Sequence, residues 1–164
     1  KRNSTDNYRQ RFDSICINCM IDVQVEYDNV EKPNIDENWV SSICENIFLD
    51  SKVNEAFITI IFSNDYKLRK LKKEYFGEDV FTDTISFNLE EEDDPIEGEV
   101  YISLERVSEN ANTFNQDFIT ECKRVIIHGC LHLLGYNDEL QEDKTKMNKL
   151  EETYLLHNIK MNQA

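Results

Sequence analysis

The chain has 164 residues, a length that suits one domain with a real core. Its 33 acids against 18 lysines and arginines leave a formal charge of −15, which excludes a protein that grips nucleic acid through a globally basic surface. No apolar run approaches a membrane-spanning helix and the polar start carries no secretory segment, so a soluble, cytoplasmic protein without a membrane partner is expected.

Residues 1–19 are polar and patternless and are expected to be a flexible extension, with the domain proper over 20–160. From 21 to 27, Ile21, Val23, Val25 and Tyr27 alternate with polar residues, which predicts a half-buried strand. Pro33 and Asn34 break the chain, and Asp36 can cap a helix to about Leu49 whose Trp39, Val40, Ile43, Cys44, Ile47 and Phe48 recur at helical spacing. Residues 56–62 are rich in β-branched side chains and predict a second strand. Ser63 or Asn64 can then cap a helix over about 65–75, closed by Gly77.

A third strand is predicted over 82–87 and a fourth over 98–103. Between them the acids of 90–94 repel one another, which predicts a solvated loop, with a carboxylate-only metal site as the alternative. Helical stretches follow over about 104–111, 116–134 and 141–157, the last with Met147, Leu150, Tyr154 and Leu155 at helical spacing. Strands interleaved with helices point to an α+β fold: a small mixed β-sheet of about four strands covered by about five helices.

The helix over 116–134 carries the chemistry. His128 and His132, two of only three histidines, stand four apart and so lie on one face, where both imidazoles can reach one centre. Gly135 can take the left-handed conformation that ends helices, and Asp138 can then return toward the imidazoles. Two imidazoles and a carboxylate hold Zn²⁺ with a fourth position open, the arrangement of a catalytic site. One Zn²⁺ ion on His128, His132 and Asp138 is therefore expected on a zincin-like helix, although the same donors suit Ni²⁺ or Mn²⁺. Ordinary hydrogen-bonded histidines are the competing reading of the pair alone.

Cys16, Cys19, Cys44, Cys122 and Cys130 are odd in number, and three sit in apolar contexts, so reduced thiols are expected. Cys16-x-x-Cys19 is half a zinc site without a second pair. The densest cations, Lys67, Arg69, Lys70, Lys72 and Lys73, with Lys123 and Arg124 before His128, fit either a solvated face or an RNA contact.

The stretch His128-Gly129-Cys130-Leu131-His132-Leu133-Leu134-Gly135-Tyr136-Asn137-Asp138 closely resembles the His-Gly-x-Leu-His-Leu-x-Gly-Tyr-Asp-His signature of the YbeY family. The resemblance extends through Leu71, Tyr75, Asp79, Thr82, Asp83, Ser86 and Phe87, and through residues 98–103. It implies a metal-dependent, single-strand-specific endoribonuclease acting in ribosomal RNA maturation. The implied substrate is single-stranded RNA or an rRNA precursor, cut by attack of zinc-bound water on a phosphodiester.

Three departures from the family pattern matter. Asp138 stands where a third histidine is common, which brings negative charge to the metal and makes its water less acidic. Phe76 stands where an arginine implicated in cleavage is common; a phenyl ring cannot clamp a phosphate, only stack on a base or pack in a core, which leaves Lys72 and Lys73 as replacement charges. Glu99 for aspartate keeps the charge.

Among neighbouring residues, Asp83, entered through Thr82, is a candidate cleft-lining carboxylate. Glu121, seven before His128, either orients a ligand or faces water, and His157 fits a helix-end charge. Two rival functions are weighed. A metalloprotease of the His-Glu-x-x-His type is disfavoured because the general-base position is Gly129. A non-catalytic, metal-stabilised assembly factor that docks on basic ribosomal proteins suits the acidic surface.

Overall fold

The computed structural model describes residues 19–161, with side chains through Leu156. The extension expected over 1–19 lies outside the described residues except for Cys19, as do Cys16 and the side chain of His157. Nine elements run in the order β1 (Met20–Tyr27), α1 (Glu37–Asp50), β2 (Glu55–Ser63), α2 (Asp65–Phe76), β3 (Thr84–Asn88), β4 (Ile96–Ser103), α3 (Leu104–Thr113), α4 (Phe118–Leu133) and α5 (Gln141–Met161). The expected four strands and five helices are all present among the described residues.

The strands form one sheet in the order β1-β2-β4-β3. β1 and β4 both run parallel to β2, and β3 alone is antiparallel to its neighbour. This mixed pattern follows from the connections: α1 carries the chain back between β1 and β2, whereas α2 leads into β3, which itself runs back along the sheet before a short loop reverses the chain into β4. The third strand starts at Thr84 rather than at Thr82, because the Thr82 hydroxyl donates to the Thr84 carbonyl at 3.1 Å and shapes a bend that leads into the strand.

Alternation decides which side chains meet the core. Val23 and Val25 of β1 pack with Ile58 and Ile60 of β2, Val100 and Ile102 of β4, and the apolar stripe of α1. Asp36 caps α1 by accepting from the Asn38 amide at 2.9 Å, and Asn64 caps α2 by accepting from the Lys67 amide at 2.9 Å. The acid-rich loop is largely exposed, as expected, but Glu90 is tied back. Its carboxylate accepts from Asn88 Nδ2 at 2.9 Å and from the Glu97 amide at 3.2 Å, closing the β3–β4 hairpin. Partial burial works against the Glu90 charge, yet these donors outweigh it and hold its pKa below the ordinary value.

α4 lies on β3 and β4, and its fit depends on two glycines. A Cβ on Gly129 would stand 2.3 Å from Val100 Cγ1, and one on Gly98 would stand 2.7 Å from Leu133 Cδ2, so only glycine lets helix and sheet approach this closely. Side chains then bind the helix carbonyls: the Ser86 hydroxyl donates to the Gly129 oxygen at 2.9 Å and Asn88 Nδ2 to the Leu133 oxygen at 3.0 Å. The helix that carries His128 and His132 is thus fixed in position by the edge of the sheet.

Candidate metal centre

α4 begins at its N-cap Asp117, which accepts from the Thr120 amide at 2.9 Å, and ends in a Schellman motif. The Gly135 amide donates to the His132 carbonyl at 2.9 Å and the Tyr136 amide to the Leu131 carbonyl at 3.1 Å, with Gly135 at φ +88°. The left-handed glycine reverses the chain, and Asn137 Oδ1 then accepts from the amides of Asp138 and Glu139 at 2.7 and 3.0 Å. This turn brings the Asp138 side chain back over the helix face it has just left.

Three donor groups converge as a result. His128 Nε2 and His132 Nε2 are 3.0 Å apart, Asp138 Oδ2 is 3.6 Å from the first and Asp138 Oδ1 is 3.9 Å from the second. A tetrahedral ion with donors at about 2.0–2.1 Å needs them about 3.3 Å from one another, and the three separations bracket that spacing. Among the described residues, this is the one group of three histidine, cysteine or carboxylate donors close enough to share a cation. The acid-rich loop at 90–94 assembles no such group.

The far nitrogens of both rings are already engaged. His128 Nδ1 donates to Glu151 Oε1 at 2.7 Å, and His132 Nδ1 donates to the Tyr136 carbonyl at 3.0 Å. With the Nδ1 protons so placed, each Nε2 carries its lone pair toward the other. Two lone pairs 3.0 Å apart repel unless a proton or a cation lies between them, so the donor set itself fits a metal.

The two imidazoles differ in basicity. Burial works against a charged His128, but the Glu151 carboxylate, helped by Asp83 and Asp138, overcomes this and holds its pKa above the ordinary value. For His132 burial dominates, the adjacent His128 adds to it, and the pKa falls.

Glu151 is the residue behind the centre that the sequence reading missed. It is 4% exposed and sits on α5, one turn after Met147 and one before Leu155, both buried. An acid in the middle of that apolar row was the available signal, because buried carboxylates need a partner. Glu121 was the residue considered for orienting a ligand. It does not face water, being only 2% exposed, yet neither imidazole bonds to it. Its nearest cation is Arg124 Nε, 3.7 Å from Oε2, and burial raises its pKa. Asp83 meets the centre only through its charge, since its Oδ2 accepts from Asn110 Nδ2 at 3.0 Å.

The cations proposed for RNA contact are mostly engaged elsewhere. Arg124 reaches Glu152 at 2.8 Å and Glu151 at 3.6 Å, and the Lys123 ammonium lies 4.5 Å from the centre of the Trp39 ring. Arg69 and Lys73 share Asp79, Lys72 meets Glu78, and Lys67 meets Asp28. Phe76 does not enter the core: the residue is 49% exposed and its ring stacks on Phe87.

A sheet-backed helix offering two imidazoles, joined by a carboxylate from the following turn, defines a small α+β protein with a three-donor cation site. The family model described as Endoribonuclease YbeY matches residues 20–159, and the chain belongs to that family. A protein of Amoebophilus asiaticus named Endoribonuclease YbeY is 40% identical over 137 residues, covering 84% of this chain and 88% of the relative. One of the same name from Flavobacterium psychrophilum is 41% identical over 126 residues, covering 76% and 86%. The solution structure of TM1509 from Thermotoga maritima superposes with a TM-score of 0.57 at 28% identity, covering 85% of this chain and 93% of that one. No described helix is long and apolar enough to cross a membrane.

Proposed function

We propose that this chain is a metal-dependent endoribonuclease that cuts single-stranded RNA, with ribosomal RNA precursors as its substrate in the cytoplasm. The observation that carries the reading is the convergence of His128 Nε2, His132 Nε2 and Asp138 at tetrahedral spacing, in a chain whose relatives bear the name endoribonuclease. The donor set fits one Zn²⁺ ion, which when bound lowers the pKa of a water and offsets negative charge on a phosphoryl oxygen.

The residues of the chain do the rest. Glu151 and the Tyr136 carbonyl keep both Nδ1 protons in place, so that the Nε2 atoms face the centre without reorganising. Asp138 supplies the third donor from a turn, and its negative charge tempers the acidity of the site relative to three imidazoles. Gly129 faces Val100 of the sheet rather than the centre, which weighs further against protease chemistry built on a glutamate at that position.

The test is purified, zinc-loaded protein on end-labelled single-stranded RNA, with chelator, His128→Ala and Asp138→Ala as controls. Cleavage that disappears in all three supports the reading. Cleavage that survives both substitutions marks a contaminating nuclease and removes the reading's support.

A second reading, a metal-stabilised assembly factor on basic ribosomal proteins, is favoured by the sheet face away from α4. Strand register sets Asp22 beside Phe57 and Glu97, and Gln24 beside Thr59 and Glu99, so that three carboxylates line the β1–β2–β4 part of that face. Stable binding to basic ribosomal proteins without any RNA cleavage would select it.

A further inference from the structure

We propose that Tyr75, Phe76 and Phe87 form a stacking platform that holds bases of single-stranded RNA on the sheet face opposite α4. This rests on the RNA-cleaving reading above and adds a place where the strand is gripped away from the three-donor centre. The rings touch one another: Phe76 stacks on Phe87 with centroids 6.0 Å apart, Tyr75 meets Phe87 edge-on at 5.0 Å, and Tyr101 backs Phe87 at 5.9 Å. Phe87 and Tyr101 anchor the group on the sheet, while Tyr75 and Phe76 are 63% and 49% exposed. Two aromatic rings at the end of one helix, held by a third and left half in water, make a sequence-tolerant surface for bases, since every base has a π-face.

Charge selects the occupant. α2 carries Lys67, Arg69, Lys70, Lys72 and Lys73 against Asp65 and Glu74, which makes it the most positive described helix in a chain of net charge −15. Rings interleaved with cations are what single-stranded nucleic acid requires; a basic or purely apolar partner would gain nothing from these lysines, and an acidic protein would bring no bases to the rings. The pairs with Glu78 and Asp79 are surface ion pairs that phosphate can replace. The Lys72 ammonium lies over the Phe76 ring, 4.7 Å from its centre, so a base that stacks there displaces the ammonium from the ring and leaves it within reach of the base's own phosphate.

The topology allows one strand to reach both places. β3 is the end strand of the sheet, with Ser86 turned toward α4 and Phe87 toward α2, so RNA can pass around the edge of β3 from the imidazoles to the rings.

The test measures binding of zinc-loaded protein to a fluorescent 2′-O-methyl oligouridylate of about 12 nucleotides, checked on a gel for intactness, and to an abasic ribose-phosphate oligomer of equal length. Phe76→Ala and Tyr75→Ala should each weaken binding of the base-bearing oligomer by about fivefold or more and leave the abasic one unchanged. Phe76→Trp should restore it. The platform is overturned if the alanine variants bind both oligomers as the parent does, or lose both equally. If the parent protein cleaves RNA while the alanine variants bind unchanged, the platform alone falls. If the parent neither binds nor cleaves RNA, the cleavage reading falls with it.

Discussion

Replacing Glu151 by glutamine isolates what a buried carboxylate contributes behind a metal ligand. The amide keeps the volume and an acceptor for His128 Nδ1–H, but removes the negative charge now 2.7 Å from that nitrogen. Arg124 keeps Glu152 and Glu121 as partners, so the substitution leaves no orphaned cation. Losing such a partner costs about 10–100-fold in metal affinity, or about 1.4–2.7 kcal/mol. With zinc in excess, the stabilisation given by the metal shrinks by the same amount, which for a chain of this size is about 3–10 °C in Tm. Competition with a chromogenic chelator gives the affinity, and calorimetry with and without zinc gives the Tm gain. An affinity within about twofold of the parent, with an unchanged Tm gain, would refute the argument that Glu151 tunes His128.

Three further outcomes are expected. Gly129→Ala should destabilise the fold by about 1–3 kcal/mol in urea titrations, because the Val100 methyl 2.3 Å from the new Cβ outweighs the helix propensity gained; unchanged stability would contradict it. Asp138→Ala should leave the melting of the metal-free protein nearly unchanged and weaken zinc binding on the order of a hundredfold, seen by the same chelator competition, since a ligand is lost rather than its supporter. Glu121 has its pKa raised by burial, so its contribution is fully present below the unfolded carboxyl value and is lost as pH rises through the folded one. Glu121→Gln should therefore gain stability relative to the parent between pH 4 and pH 8, and urea midpoints that move the other way would refute this.

The sequence alone determined whatever depends on short-range order. Alternation in β1 and helical spacing in α1 follow from the period of the backbone, and the Schellman turn at Gly135 follows from a residue free to take positive φ. Because His128, His132 and Asp138 lie within eleven residues joined by one helix turn and one loop, their meeting was legible too. The bend at Asp83 was not, since the Thr82 hydroxyl competes locally with the ladder.

Only the tertiary structure decided what stands behind those three groups. Glu151 comes from a separate helix 23 residues further on, and nothing local fixes which face of α5 meets His128. Glu121 sits one heptad from His128 on the same helix, but burial and Arg124 rather than proximity govern its state. The exposure of Phe76 was likewise settled by where the edge of β3 lies against α2, because a ring at a helix end has no periodic signal to say whether it is covered. Pairing across the fold depends on how helices dock on the sheet, and that docking is set by the whole core at once.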